Sequence, residues 1–481
     1  MMKKNVGFLL WVLLSVIIAS CTDVYREADS EKGEEEVVPP GETYTSEKKY
    51  NLNVVYYVPA DILEIEDWHY RLSGVTLHIQ NYFYESFMRY RVDKKFGLEL
   101  NDVNPEFVKV HYIKSSKKHM DMKESDIQEM GQEVLDYFKQ NPDLKQSDHY
   151  LIYMPEYDGS FIKHYYPSEK EGMAFCGCDN TRFKIRYFDS ARARATFLQK
   201  LGFILKTFAQ SCFVTESNTG LESPFKSLMG ASKRYSSSGK NQPIYNCIDY
   251  SGTNSSSGSS FTAGTPDKIR LMIWDVRYLS GTQLFNDDYS YEPFDVDIRE
   301  VTIRSKYSAQ SVVAEDTLMV QCKFTTIPAD IDLAGVVLFD DPWLTYNAVT
   351  NARDEKIDRD EMKESGYDAY GVYVEGTQIR EEEGVQEVIF YIPLANHLNM
   401  LESSTSSGSS SMRKHELRFR FIGKNGMAYP HAPVSIKGPF DTLLRNIYEV
   451  TGVAATTKPE VIPYHQKHDV ATRYDGFWEW E

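Results

Sequence analysis

Residues 195–210 read A-T-F-L-Q-K-L-G-F-I-L-K-T-F-A-Q. The spacing is that of a helical metal site, but the residue types are not. Two ligands for one ion must lie four residues apart on a helix, so that both project from one face. A general base for the ion's water directly follows the first ligand, and longer patterns add a third ligand ten residues after the first. In the frame set by Leu201, Gly202 and Leu205, the two ligand positions are Gln199 and Phe203, the base position is Lys200, and the third ligand position is Ala209. Gln is a poor zinc ligand, Phe and Ala are none, and an ammonium takes no proton from water. These four positions therefore predict no catalytic residue, no metal and no cofactor.

Phe197, Leu198, Leu201, Ile204, Leu205 and Phe208 form an apolar stripe at helical spacing, which an ordinary core helix shows as well. The surroundings distinguish the two readings. Strand, helix, strand, helix, strand and edge strand precede this helix in order, and Ser227-Leu228-Met229-Gly230-Ala231 follows it. S-L-M-G resembles the tight Met-containing turn that lies beneath the zinc in metzincin proteases. On these residues, roughly positions 45 to 282 resemble secreted bacterial lipoproteins with a metzincin-like zinc metalloproteinase domain. The resemblance implies an α+β fold, a metzincin-like mixed sheet with packed helices, and a structural role for Met229. The ligands do not match, so it does not carry protease activity over.

The first twenty-one residues read as a targeting segment. Lys3 and Lys4 precede an apolar run, Val6 to Ala19, that is short for a membrane span. It ends Ile18-Ala19-Ser20-Cys21, which resembles a bacterial lipoprotein box. Cleavage after residue 20 would leave Cys21 to carry lipid, and the membrane is then a partner through that anchor alone. Residues 21–47 form an acidic tether with Glu34, Glu35 and Glu36 before Pro39-Pro40. Acidic residues after a lipidated Cys resemble an outer-face signal, so the expected location is the outer membrane, at the cell surface. A merely solvated spacer has the same composition.

The full chain has 481 residues, enough for about two to three domains, and a formal charge of −17. No Lys/Arg stripe is present, so nucleic acid is not an expected partner. Apart from Cys21, five cysteines remain: Cys176, Cys178, Cys212, Cys247 and Cys322. An odd count leaves at least one thiol free or paired between chains. Cys176, Cys178 and Cys212 are open to a metal, a disulfide or a buried role.

Along the chain, strands are expected at 51–57, 107–113 and 149–154, and helices at 67–90 and 125–140, the latter capped by Ser125. Residues 171–178 read as the edge strand, along which a peptide can add as a further strand. Residues 235–264 read as a Ser/Gly-rich loop. Thr265-Pro266-Asp267 reads as the start of a helix that buries Ile269, Met272, Ile273, Val276 and Leu279. The second domain is expected from residue 283; residues 286–297 read as a linker rich in Asp and Tyr, and beyond it the period becomes two. Six strands, at 301–304, 317–325, 335–339, 370–374, 388–392 and 416–422, predict an antiparallel, immunoglobulin-like β-sandwich to residue 440, followed by a C-terminal tail, 441–481. Asp358-Arg-Asp360 begins like a calcium loop and then fails. His415-Glu416 lies in an alternating stretch, and His465 with His468 in the tail.

Three functional readings follow. The first is a lipid-anchored protein with an inactive metzincin-like domain that binds a peptide, a protein or a glycan. The second is an active metalloprotease with rearranged ligands drawn from Cys176, Cys178 or a distant His, which would need zinc. The third is an unrelated glycan-binding surface lipoprotein whose Tyr and Trp residues stack on sugars.

Overall fold

The structure, a computed structural model, describes residues 41, 43–119, 126–155, 161–178, 191–215, 226–229, 233–235, 241–243, 269–305, 317–342, 370–393, 413–429, 445–450, 464–465 and 479–480, with backbone only over 191–200, 226, 233–235, 241–243, 269, 303–305, 318, 340–342, 370, 413–418, 445–450, 464–465 and 479–480. All of them belong to one compact unit, Pro39–Glu481. The expected signal segment, Cys21, most of the tether, Ser125, Gly230-Ala231, Cys247, Thr265-Pro266-Asp267, Asp358-Arg-Asp360 and His468 lie outside the described residues.

The first half is a five-stranded sheet between helices. In chain order it comprises β1 (Asn53–Val58), α1 (Trp68–Met88), β2 (Val110–Lys114), α2 (Ile127–Gln140), β3 (His149–Pro155), β4 (Ile162–Tyr165), β5 (Gly172–Cys178) and α3 (Ala191–Ser211). The sheet order is β2-β1-β3-β5-β4. Every pairing is parallel except β4 on β5.

Strands β1, β3 and β5 are apolar on both faces, as strands covered twice must be. Val54, Tyr56, Leu151, Tyr153, Ala174 and Cys176 face α1 and α3, within one core cluster. Val55, Tyr57, Tyr150, Ile152, Met173 and Phe175 face α2, against Met130, Val134 and Phe138. The predicted stripe of α1 (Leu72, Val75, Ile79, Phe83, Phe87) is buried throughout. Gly172 is required by a close approach: a side chain there would come within 1.7 Å of the Ser211 carbonyl, so only glycine lets the end of α3 rest on β5.

Four sequence expectations need correction. Residues 171–178 are not the edge strand, because β4 pairs outside them. Residues 235–264 are not wholly loop: Lys233–Tyr235 pairs antiparallel with Asn241–Pro243. The helix expected from Thr265 begins only at Ile273 (α4, Ile273–Leu279), because β7 (Ile269–Arg270) instead runs parallel to β6 (Lys226–Ser227). Asp275 closes that first turn by accepting the Met272 N–H at 2.9 Å. Finally, 445–450 is not free tail but a strand on the second half.

The second half is two antiparallel sheets. β8 (Asp295–Ser305), β9 (Thr317–Ile327), β12 (Arg380–Glu382) and β13 (Val385–Pro393) order as β8-β9-β13-β12. β10 (Leu333–Pro342), β11 (Tyr370–Glu375), β14 (Arg413–Gly423) and β15 (Ala428–Tyr429) order as β11-β10-β14-β15, with β16 (Arg445–Val450) also on β14. Val320, Cys322, Phe324, Val388 and Phe390 of the first meet Val336, Leu338, Phe419 and Phe421 of the second in one core.

The pleat of β10 and β14 joins the halves. Alternate residues Val337, Phe339 and Ile422 point the other way, into the cluster that holds α1, α3 and α4. Arg420, paired across from Val337, is 5 % exposed on that same face. Its Nη2 donates to the Phe213 carbonyl at 3.3 Å, its Nη1 to Thr215 Oγ1, and its guanidinium lies 5.1 Å from the centre of the Tyr278 ring. Burial pushes the Asp275 carboxyl up to about 7, although its bond to Met272 and the nearby Arg420 both act to lower it.

Two outcomes follow for stability. Arg420→Ala strands the Phe213 carbonyl in the core and removes the contact with the Tyr278 ring, and is expected to cost about 1–3 kcal/mol, read by denaturant unfolding. Lys323→Ala, at an exposed ion pair with Glu300, should leave the unfolding midpoint unchanged. Two buried groups should also make stability depend on pH, in opposite senses over the same acid range. The fold keeps the Asp275 proton up to about 7, so that contribution is fully present below the ordinary carboxylate range and is lost progressively as pH rises from there to about 7. Burial, then the charge of Lys109, pushes His111 down to about 4. Its contribution is present above the ordinary histidine range and lost as pH falls towards about 4. Melting temperatures from pH 4 to 9 test both. Asp275→Asn should remove the loss between about pH 4 and 7, so that its melting temperature rises more steeply with pH over that range than the parent's, and leave the dependence above about 7 unchanged.

Candidate functional site

Helix α3 is held by its apolar side. Leu201, Ile204, Leu205, Phe208 and Cys212 are buried in the cluster shared with α1 and the sheet. Phe208 meets Phe83 of α1 edge-on at 5.3 Å between ring centres. The opposite stripe carries the positions that matter. At 3.6 residues per turn, Gln199, Phe203, Lys206 and Gln210 fall within about 60° of one another round the helix. Gln199 and Lys200 are on the helix backbone, their side chains lying outside the described residues. Phe203 is half-buried against the core cluster.

This stripe runs toward the edge strand. His164 of β4 shares a side-chain hydrogen bond with Gln210 and stands beside Lys206. Burial first, then the charges of Lys206 and Lys163, pushes its pKa down to about 4, so the imidazole is neutral at physiological pH. Tyr166 donates its hydroxyl to the Gln210 carbonyl at 2.6 Å and stacks on Phe213 at 4.8 Å. His164 was not singled out from sequence: F-I-K-H-Y is too short to declare a strand, and nothing local marks its histidine as facing a helix.

Ala209 is placed differently. In patterns with a third ligand ten residues after the first, a Gly, a poor residue for a helix interior, stands seven residues after the first ligand. That position is Lys206, and α3 continues to Ser211. Position 209 is therefore carried about 80° from Gln199 and about 120° from Phe203 round the helix. Ala209 has no exposed surface and lies in the core. An amide, an ammonium, a phenyl ring and a buried methyl group do not fit a zinc ion, either as donors or in direction.

Met229 is fully buried in the same cluster as Leu205 and Phe208. Its turn is fixed by Met229 N–H on Ser227 Oγ at 3.0 Å and Leu228 N–H on the Arg270 carbonyl at 2.8 Å. Cys176, Cys178, Cys212 and Cys322 are buried thiols that form no disulfide among the described residues. Burial raises the pKa of Cys176 and brings Cys212 up to about 12, the opposite of what a thiolate ligand needs. Cys178 Sγ donates to the Met154 carbonyl at 3.0 Å. Among the described residues, no three His, Cys, Asp or Glu side chains are grouped to hold a metal.

No family model matches the chain, and no curated protein matches it by sequence. Among solved structures, the chain is similar to wild-type OgpA from Akkermansia muciniphila, with a TM-score of 0.56 and 15% identity over 86% of this chain and 96% of that one. A second crystal form gives a TM-score of 0.55 and 15% identity over 89% and 99%. Catalytically inactive OgpA in complex with an O-glycopeptide substrate, glycodrosocin, gives 0.53 and 15% over 86% and 96%. At this identity the likeness is one of fold, and it extends over both halves of the molecule.

Restoring ligand types tests the helix geometry. A Gln199→His, Lys200→Glu, Phe203→His variant should bind zinc weakly through two imidazoles. Adding Ala209→His should leave zinc affinity unchanged and lower stability by about 1–3 kcal/mol through overpacking. A tenfold or greater gain from the fourth substitution, measured by competition with a chelator, would show that position 209 reaches the site.

Proposed function

We propose that this is a lipid-anchored outer-membrane protein whose first half is metzincin-like and has no zinc chemistry of its own. It holds a peptide, most specifically one carrying O-linked sugar, along β4. The observation that carries this reading is the stripe Gln199, Phe203, Lys206 and Gln210 beside edge strand β4, where a protease of this type would present ligands. Among the described residues β4 pairs only with β5, so its outer edge has N–H and C=O groups for an extended peptide. His164, neutral and held by the Gln210 side chain, places no charge of its own beside that edge.

The O-glycopeptide complex of the OgpA structure supports the ligand class, and the extent of the likeness supports a shared two-part architecture. In this reading the second half is an immunoglobulin-like sandwich that completes the domain pair. Met229 keeps the turn under α3 as packing rather than as support for an ion. Cys21 carries the lipid, and residues 21–47 carry the protein away from the membrane.

The test uses the mature protein and glycodrosocin. Calorimetry should show saturable binding, with the unglycosylated peptide weaker by about tenfold or more, about 1.4 kcal/mol. Mass spectrometry of the same mixture should show the peptide intact. Cleavage would overturn the binding-protein reading in favour of a protease with rearranged ligands, and absence of binding would remove the ligand assignment. Separately, Cys21→Ala should move the protein from the envelope fraction to the soluble one; retention in the envelope would contradict the anchor.

A further inference from the structure

A cavity of about 330 Å³ opens at the junction of the two halves, lined by no side chain of the α3 stripe. The volume suits a small molecule of about monosaccharide size. Its walls include Lys94 beyond α1, Arg277 and Ser280 at the end of α4, Glu375 and Thr377 at the end of β11, and Lys424 in the turn between β14 and β15. Three of these groups are cationic and one is anionic.

The charges are not equivalent. Arg277 is satisfied by Glu375, with Nη2 and Nε at 2.8 and 3.2 Å from Oε1. Lys424 pairs with Asp332 at 2.8 Å, but both side chains are exposed, so water and salt screen the pair. Lys94 is half-buried and donates to the Ser280 carbonyl at 2.6 Å. Among the described residues it has no carboxylate within ion-pair distance. Burial, then the charge of Lys48, holds its pKa below the usual lysine range, with Asp287 and Asp288 acting weakly the other way. A half-buried ammonium that lines a cavity and meets only a carbonyl keeps much of its desolvation cost, which an entering anion would offset. Glu375 and the Thr377 hydroxyl add acceptors suited to ligand hydroxyls. The wall is built from sheet ends: a side chain at Gly376 would lie 2.0 Å from the Leu333 carbonyl, so backbone meets backbone there.

We infer that this junction pocket binds a hydroxylated organic acid of monosaccharide size, its carboxylate drawn to Lys94 and Lys424 and its hydroxyls to Glu375 and Thr377. This inference stands apart from peptide binding along β4.

Calorimetry on the full mature protein at low ionic strength, with D-glucuronate as probe and D-glucose and acetate as controls, tests it. Saturable one-to-one binding of glucuronate is expected, with glucose silent and acetate weaker by about tenfold or more. Lys94→Met and, independently, the exposed Lys424→Met should each weaken glucuronate by several-fold, while Lys323→Met on the other sheet of the sandwich changes nothing. Unfolding curves establish that each variant is folded, and Lys424→Met keeps the test open if Lys94→Met is not. No saturable heat, equal binding of glucose, or unchanged affinity in the folded pocket variants would overturn the assignment.

Discussion

The apolar seating of α3 is the constraint on which the rest of the molecule depends. Leu201, Ile204, Leu205, Phe208 and Cys212 are buried between α1, the sheet and the turn of Met229, and Gly172 lets the end of the helix lie directly on β5. Burial of side chains of this size contributes about 1.5–3 kcal/mol each, so the helix needs no ion to hold it. Once that side is fixed, the opposite stripe must face the edge strand, and its chemistry is free to change without loss of fold. Packing alone holds the helix, and nothing in the packing requires metal ligands on the opposite stripe.

The same cluster explains why the halves travel together. The pleat of β10 and β14 sends Val336 and Phe421 into the sandwich core and Val337, Phe339 and Ile422 into the helical core. Arg420 extends this contact with charge, reaching the carbonyl at the end of α3 and the ring of Tyr278. A change of period after the 286–297 stretch marks a change of secondary structure, but it does not mark a break in the core. A likeness to a solved structure over 86% of this chain includes that junction and not one half alone.

Much of this was legible in the sequence because it rests on periodicity. The stripe of α1, the runs of β1, β3 and β5, and the six strands of the sandwich follow from spacing alone. What was not legible depends on pairing between distant segments. Thr265-Pro266-Asp267 is good cap chemistry, yet β7 is claimed by β6, and the helix waits for Asp275. Gly172–Cys178 has the composition of any buried strand, and only the four residues of β4 decide which one is the edge. Arg445–Val450 gave no alternation strong enough to announce a strand, and β14 recruits it. At the site, the degenerate positions were readable from residue type, but the direction of Ala209 was not, because it depends on the helix continuing past Lys206. His164 and the junction around Lys94 emerge only when the chain is folded.

Elemental analysis of the purified mature protein after gentle dialysis tests the central claim most directly. A helix that keeps the frame of a zinc site without its donors predicts essentially no zinc per chain. One tightly held zinc per chain, retained through dialysis, would contradict it and would require ligands drawn from elsewhere in the sequence.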